Sequence, residues 1–391
     1  METLVEIFSE KDGPSGRPGL NILCRALSKL ALLALMLLGL PPLGLVLTGM
    51  PLRPYLAFPP EAGNISHAPF SWAIFFLFCL PLLGFMVPLI AQGCRGFRIR
   101  RGKQLPAHPF PWWGWASLLT GSAAWFMAWT RFDWFRPFQM HTFTPLWLSF
   151  VIIVNGLSYR RKGCCLLLDR PVFFLLLFPA SALFWWFFEY LNRFVGNWSY
   201  VTVPASGWSY FWRATPPFST VLPAVLSTKV WLAEAPWIRE GFKDYIRIDL
   251  PRPRIWAWAA LMAAGMGLLA IGVWPDYLFW LLWVSPLLIL TGFQVLSGEQ
   301  NVLSGIAGGD WRLVISSSAA GLFCGWFWEM WNYLSLAGWT YHIPFVHRFQ
   351  VFEMPIVGYA GYLPFGLECA AVGMLLDQVL RKGKIREETR W

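Results

Sequence analysis

Charged residues are scarce in this sequence. Asp, Glu, Lys and Arg make up only 13% of the 391 residues, while hydrophobic residues make up 57%; a typical soluble domain is about 25% charged. The 31 Lys and Arg outnumber the 21 Asp and Glu, but they stand in short clusters between apolar segments and form no basic domain. The composition therefore excludes a nucleic-acid partner and indicates an integral membrane protein in contact with the lipid bilayer.

Motifs of metal, redox and nucleotide sites are also missing. The seven cysteines include no C-x-x-C pair, so neither a disulfide framework nor a zinc site is predicted. No P-loop, G-x-S-x-G, H-E-x-x-H or G-x-G-x-x-G motif stands in a context that would support it. The sequence therefore identifies no cofactor and no metal ligand, and the cofactor stays unknown.

Apolar segments long enough to cross a bilayer are abundant. A membrane helix needs about 20 mostly apolar residues, and the sequence predicts ten such segments: 30–48, 70–92, 112–130, 143–158, 172–195, 209–233, 255–274, 277–296, 312–336 and 354–378. The polar stretch 1–29 before them has no small-residue cleavage site at a suitable distance. We therefore expect a retained first span and not a signal peptide.

The distribution of Lys and Arg predicts the orientation of these segments. With the N-terminus inside, the basic residues in the outer loops are only Arg53, Arg131, Arg136, Arg193, Arg213 and Arg348. All the others lie on the inner side, as the positive-inside rule requires. We predict an all-α transmembrane protein of about ten helices with both termini cytoplasmic, in a membrane that we take to be the bacterial cytoplasmic membrane.

One sequence pattern occurs twice, as FFEYLNRFVGNWSY at 187–200 and as FWEMWNYLSLAGWTY at 327–341. The shared residues are Glu189, Asn192, Trp198 and Tyr200 in the first copy, and Glu329, Asn332, Trp339 and Tyr341 in the second. The acid and the amide are three residues apart, which places them on one face of a helix. The predicted orientation puts both motifs near the outer, periplasmic surface, where they form the candidate site.

The repetition extends weakly beyond this motif. Residues 122–133 align with 318–329 without a gap, and prolines recur in each returning segment. We therefore expect repeated αα-hairpins, parallel to one another. The predicted organisation is a cytoplasmic segment 1–29, a first hairpin 30–110, a repeated-hairpin bundle 111–378 and a basic cytoplasmic tail 379–391.

Acids within a membrane segment are functional candidates because inserting them is costly. Glu189 also has a structural interpretation as the i, i+4 ion-pair partner of Arg193. Glu329 has no such neighbour, so it is either a neutral, proton-donating acid or the partner of an arginine on another helix, with Arg213 among the candidates. Glu368 lies deeper, and its structural interpretation is a protonated acid that bonds a backbone carbonyl.

These interpretations together give the predicted site. Glu189, Glu329, Asn192 and Asn332 are the predicted catalytic residues, and the predicted substrate-binding residues are Trp198, Tyr200, Trp339, Tyr341, Arg213 and Glu368. The asparagines have an alternative interpretation as links between helices. The tryptophans and tyrosines have an alternative interpretation as anchors at the membrane interface. Four histidines are predicted outside, but their spacing does not specify a metal site.

The last hairpin is similar in outline to the repeated membrane units of the lycopene cyclase type: an acid near a helix end, W-x-Y, then a returning helix with Pro364 and Glu368. That resemblance implies acid chemistry on a polyene hydrocarbon, although PFGLE stands in place of the family's P-x-E-E. The strings HTFTPLWL, FFEYLNRFVGNW and FEMPIVGYAGYLPF resemble an uncharacterised bacterial membrane-protein family, and that likeness implies no function.

Three hypotheses follow. The chain is an enzyme that acts on a lipid or isoprenoid near the outer leaflet, with the two glutamates as general acid and base. Alternatively, it is a transporter or small-molecule binder with an outward vestibule that reaches Glu368. The third hypothesis is a structural subunit of a membrane complex, in which the acids only cap helices and form ion pairs. The sequence does not decide the oligomeric state.

Overall fold

The computed structural model describes residues 31–60, 66–99, 108–202 and 206–388. The predicted N-terminal segment 1–29 lies outside the described residues, as do positions 389–391 of the predicted tail. Most of the described chain is helical. The longer helices are α1 (Ala31–Leu47), α2 (Trp72–Ile99), α3 (Trp112–Trp129), α4 (Phe143–Lys162), α5 (Pro171–Val195), α6 (Gly207–Phe218), α7 (Val221–Ala233), α8 (Pro253–Ala270), α9 (Ser285–Leu296), α10 (Arg312–Tyr333) and α11 (Tyr362–Glu388).

Short elements connect these helices. Single helical turns lie at Arg53–Leu56, Leu166–Asp169, Pro236–Arg239 and Pro275–Leu278, and 3-10 segments at Asp133–His141, Phe279–Trp283, Ser304–Gly308 and Ile356–Gly361. Four short strands form two antiparallel pairs, β1 (Trp198–Tyr200) with β2 (Trp339–Tyr341) and β3 (Gln350–Val351) with β4 (Met354–Pro355). Helix α5 begins at a proline and ends before Gly196, whose φ of 63° suits the left-handed conformation of a helix C-cap.

Several helices are long and apolar enough to cross a membrane. Within the described residues, four meet that criterion, at Trp72–Arg98, Pro171–Val195, Pro253–Ala270 and Ile356–Leu380. The number rises to six if two bent pairs each count as one span: Asp133–His141 with Phe143–Lys162, and Pro275–Trp283 with Ser285–Leu296. These helices indicate an integral membrane protein. Helix is present in each of the ten predicted segments, but the count of ten crossings stays a prediction.

Charged contacts and strands lie at opposite ends of the bundle. Arg170 at the start of α5 pairs with Asp377 near the end of α11, and Lys162 at the end of α4 lies 2.6 Å from Glu234. We call this the basic end. The β1–β2 pair follows the other ends of α5 and α10, and we call that the strand end. The loops predicted on the same side of the membrane thus contact one another.

Glycines allow α10 and α11 to pack with their backbones in contact. A Cβ atom at Gly321 would lie 2.2 Å from the carbonyl oxygen of Tyr362, and one at Gly366 would lie 2.1 Å from the carbonyl oxygen of Ser317. A Cβ at Gly325 would meet the Tyr362 ring at 2.3 Å. Small residues at four-residue spacing are typical of such close helix contacts in membranes. They fix the position of Tyr362 against α10.

The same contact occurs between α5 and the start of α7. Ser181 occupies in α5 the place of Gly321 in α10, eight residues before the acid. Its hydroxyl donates to the carbonyl oxygen of Phe218 at 2.6 Å and accepts the N–H of Leu222 at 3.0 Å. The units α5–β1–α6–α7 and α10–β2–α11 therefore pack their returning helices at equivalent positions. In the first unit the returning helix is interrupted at Ser219 and Thr220.

We expect Gly366→Val to destabilise the protein because the new side chain overlaps the backbone of α10. Overpacking of this kind costs about 1–3 kcal/mol, so the thermal unfolding midpoint in detergent should fall by several degrees. Gly84→Val is the matched control, since a Cβ at Gly84 would meet nothing within 4 Å. Equal midpoints for the two variants would contradict the close packing of α10 and α11.

Candidate functional site

Both acids of the repeated motif are buried near the helix ends that face the strands. Glu189 lies in the second-last turn of α5 and Glu329 in the last turns of α10, and their exposed fractions are 5% and 0%. Buried carboxyl groups need hydrogen-bond donors. The structure supplies these donors from aromatic side chains, and no arginine forms an ion pair with either acid within the described part of the chain.

The asparagines hold the strands and do not contact the carboxyl groups. The side chain of Asn332 donates to the carbonyl oxygen of Trp339 at 2.8 Å and accepts its N–H at 2.8 Å. Asn192 makes the same two bonds to the backbone of Trp198, at 2.8 and 3.3 Å. The i, i+3 spacing predicts the amide and the acid on one helix face as catalytic residues, but the amide does not contact the acid. Instead, each amide fixes the W-x-Y segment beside its helix, which explains why the two occur together in the sequence.

The two W-x-Y segments pair with each other. Strands β1 and β2 are antiparallel, with Trp198 opposite Tyr341, Ser199 opposite Thr340 and Tyr200 opposite Trp339. This register relates the two motifs by a local two-fold axis between Ser199 and Thr340. Side chains alternate along a strand, so the four aromatic residues share one face. The repeated motifs therefore form a single site.

Glu189 accepts three hydrogen bonds through one oxygen. Its Oε1 atom is 2.7 Å from the hydroxyl of Tyr200, 3.0 Å from Nε1 of Trp198 and 3.1 Å from Nε1 of Trp185. Trp185 lies on the same helix, four residues before the acid. The predicted ion pair with Arg193 is absent, because that guanidinium donates to the carbonyl oxygen of Ala57 at 2.6 Å.

Glu329 is bonded by two tyrosines. Its Oε1 atom is 2.7 Å from the hydroxyl of Tyr341 and 2.5 Å from that of Tyr362 in α11. Residue 325, which corresponds to Trp185, is glycine, and Tyr362 occupies the space that a side chain there would fill. The second oxygen, Oε2, is buried and has no hydrogen-bond partner among the described residues. The two acids thus have analogous environments built from different residues.

The tyrosines on the strands stay protonated at neutral pH. Burial raises the pKa of Tyr200 and of Tyr341 well above the ordinary value for a phenol, and the adjacent carboxyl groups raise it further. Since a protonated phenol is a donor, each hydroxyl points its proton at a glutamate oxygen. Each motif is therefore a tyrosine–glutamate pair in an apolar environment.

A cavity of about 360 Å³ lies against these pairs. Its size is at the lower end of the range for small-molecule sites, about 300–1,000 Å³. The two carboxyl groups do not line it. The residues that donate hydrogen bonds to them do line it: Trp185, Trp198, Tyr200, Tyr341 and Tyr362. The cavity therefore reaches both acids only through aromatic donors.

Both repeats contribute residues to this cavity. The returning segment of the first supplies Tyr210, Arg213, Ala214, Pro217 and Phe218, and that of the second supplies Met354, Val357, Gly358, Gly361 and Tyr362. The strands supply Trp198 with Trp339 and Tyr200 with Tyr341. The cavity thus lies between the two repeats, which line it with different side chains.

Other predicted site residues lie apart from this cavity or at its edge. Arg213 lines it and is exposed. Glu368 does not line it; its Oε1 atom accepts the N–H of Leu287 at 3.1 Å and so caps the start of α9. This contact replaces the predicted bond to a backbone carbonyl. Arg131 donates to the carbonyl oxygen of Leu334 at 2.7 Å and not to Glu329.

His67 and His342 lie at the strand end without forming a metal-binding cluster. His67 is 2.8 Å from Asp276, and Nε2 of His342 is 3.2 Å from the Ser199 hydroxyl. Throughout the described ranges, no group of three or more His, Cys, Asp or Glu is arranged to hold a metal ion. The His67–Asp276 pair links the loop before α2 to the turn that precedes α9.

Sequence reasoning missed three residues of the site. Trp185 and Tyr362 bond the acids, and Tyr210 lines the cavity with a hydroxyl that has no partner in the described part of the chain. Extending the alignment back four residues from each glutamate would have paired Trp185 with Gly325. That difference is the only signal in the sequence that another side chain reaches Glu329.

Comparison of the chain with protein-family models, with curated proteins and with solved structures finds no match. The resemblances drawn from sequence strings are thus neither supported nor contradicted. Function has to be argued from the site.

The strand register can be tested by a disulfide. Ser199 and Thr340 are directly opposed, and their hydroxyl oxygens are 3.4 Å apart, so Ser199→Cys with Thr340→Cys should oxidise to a cross-link within the chain. Peptide mass spectrometry after mild oxidation would detect it. Val201→Cys with Thr340→Cys is the control, because residue 201 lies opposite Gly338. A cross-link in the control alone would overturn the register.

The burial of Glu329 makes a second prediction. Glu329→Ala leaves two buried phenols without an acceptor, at about 1–3 kcal/mol each, while Glu329→Gln keeps an acceptor oxygen. The unfolding midpoints should therefore fall in the order wild type, Gln, Ala. Scanning fluorimetry in detergent measures this order. An Ala variant as stable as wild type would show that the tyrosines do not depend on Glu329.

Proposed function

We propose that this protein is an enzyme of the bacterial cytoplasmic membrane that binds a lipid or isoprenoid in the aromatic cavity and transfers protons to or from it. One observation carries the proposal: the phenols that line the cavity are the donors to two buried glutamates. Tyr200 pairs with Glu189, and Tyr341 and Tyr362 pair with Glu329.

The tyrosines are the groups that touch the substrate. To act as an acid, the pair first reverses its hydrogen bond, so that a protonated glutamic acid donates to the phenol oxygen; the phenol then gives its proton to a carbon or oxygen of the substrate and receives the proton of the glutamic acid. In the opposite direction, a carboxylate accepts the phenolic proton while the phenol takes one from a substrate hydroxyl. The glutamates therefore act through the tyrosines, as proton stores in an apolar site.

The cavity walls suit a reaction that passes through positive charge. Protonation of an alkene leaves a carbocation, and the faces of tryptophan rings stabilise cations. Trp185, Trp198 and Trp283 all line the cavity, and the rings of Trp198 and Trp283 are 5.7 Å apart. An unsaturated isoprenoid chain is thus the substrate class that these walls favour.

The proposal includes the membrane arrangement expected from the sequence: ten membrane helices in repeated hairpins, both termini in the cytoplasm and the site on the periplasmic side. The separation of the two ends supports it. Lys162, Arg170, Arg239 and Arg312 form ion pairs at the basic end, and the strand end holds the motifs. Positive charge gathered at one end is typical of a cytoplasmic face.

A binding or transport protein is the second candidate. The interruption at Ser219 and Thr220, between α6 and α7, favours it, because broken helices are typical of transporter sites. The cavity favours an enzyme over a transporter, since Glu368 is not among its lining residues. A transport path through the midplane would reach that residue. A purely structural subunit has no need for a cavity against both acids.

Mass spectrometry of the purified protein tests the proposal. After extraction in a native-lipid polymer disc, we expect wild type to carry a bound lipid or isoprenoid. Ala214→Trp should lose at least about 90% of it, because residue 214 lines the cavity and is buried. The matched control is Ala259→Trp on the exposed face of α8, which should retain it. Equal ligand content in both variants would place the ligand elsewhere.

Glu329→Gln separates catalysis from binding. The amide keeps the shape of the site but cannot supply or take a proton, so the variant should accumulate the substrate while wild type carries product or both. The two ligands would then differ in mass or in double-bond position. The same ligand in the same form on both proteins would support the binding or transport candidate and contradict the enzyme.

A further inference from the structure

The two returning segments give the cavity walls of different polarity. The first contributes Tyr210 and Arg213 from α6, and the second contributes Met354 from β4 and Val357 from the 3-10 segment that precedes α11. Tyr210 and Arg213 are three residues apart in α6 and thus share one face of that helix. The cavity therefore has a polar edge at Arg213 and an apolar edge at Met354 and Val357.

Arg213 is the one charged residue among the described residues that line the cavity. It is exposed while it lines the cavity, so it lies at the mouth. No acid forms an ion pair with it within the ranges that the structure describes. An arginine within a predicted membrane segment is costly without a partner. Its guanidinium is therefore available to an anion that reaches the mouth of the cavity.

Arg213, and not Tyr210, supplies the donors at this edge. The Tyr210 side chain is 4% exposed, and its hydroxyl oxygen is itself buried, without a hydrogen-bond partner in the described portion of the chain. That hydroxyl therefore presents no open surface to a ligand in the cavity. The arginine is exposed, and its guanidinium fork is well suited to phosphate or carboxylate.

We propose that Arg213 forms a subsite for the anionic head group, a phosphate or a carboxylate, of the lipid whose apolar part occupies the aromatic side of the cavity. This inference rests on the proposed function, since it assumes that the cavity binds a lipid. It narrows the ligand to an amphipathic anion whose head lies at the mouth near the strand end.

Binding of matched probes tests the head-group subsite. Farnesyl phosphate and farnesol share a chain and differ in the anion, and quenching of tryptophan fluorescence in non-ionic detergent gives the Kd of each. We expect wild type to bind the phosphate at least about tenfold more tightly, as one charge-assisted contact allows. Arg213→Gln should remove that preference and leave the Kd of farnesol within about twofold. Arg213→Lys should restore part of it.

Two further variants test whether the effect is specific to Arg213. Arg136→Gln is the control, because Arg136 is an exposed arginine of the 3-10 segment Asp133–His141 and does not line the cavity. It should keep the full preference. Tyr210→Phe should also keep it, because the Tyr210 hydroxyl is buried and does not face the cavity.

Failure of this inference can be told apart from failure of the proposed function. A preference for farnesyl phosphate that survives Arg213→Gln overturns the subsite and leaves lipid binding intact. Absence of binding for farnesyl phosphate, farnesol and palmitate together overturns the proposed function. Palmitate tests the carboxylate head group. Inorganic phosphate tests a free-ion site, and tight binding of it without a chain would contradict a lipid ligand.

Discussion

The structure of the strand end depends on one constraint: two carboxyl groups are buried in an apolar bundle and must be given hydrogen-bond donors. Glu189 and Glu329 receive them from tryptophan and tyrosine side chains and not from arginines. Most of these donors lie on strands outside the helices, so each acid requires its W-x-Y segment to fold back over the helix end. The asparagine one turn further along holds the segment there. The pairing of β1 with β2 then brings the two acids into one site.

The repeat explains both the likeness and the difference of the two acid environments. A common backbone arrangement places each returning helix against the outgoing helix at Ser181 or at Gly321. Around Glu189 the helix itself provides a donor, Trp185. Around Glu329 that position is Gly325, and Tyr362 enters from α11 instead. The same symmetry with unequal side chains gives the cavity its polar edge at Arg213.

Sequence reasoning located the site better than it explained it. The i, i+3 spacing correctly placed Glu329 and Asn332 on one helical face. It also led us to group the amide with the acid as a catalytic residue. In the structure the amide contacts the backbone of Trp339. An ion pair between Glu189 and Arg193 was expected from the i, i+4 rule, and it is absent because Arg193 reaches the carbonyl oxygen of Ala57 from a distant part of the chain. Tyr362 could not have been found from spacing, since its contact with Glu329 depends on how closely two helices pack.

The sequence by itself determined the helical, membrane-embedded character of the protein, the approximate limits of its helices and the identity of the repeated motif. Those properties follow from local hydrophobicity and periodicity, which are written along the chain. Tertiary structure decided which donors satisfy each acid, that the two motifs share one cavity and that Glu368 caps α9. These depend on contacts between residues far apart in sequence. Such contacts are set by glycine-mediated packing and strand register, which a single sequence does not display.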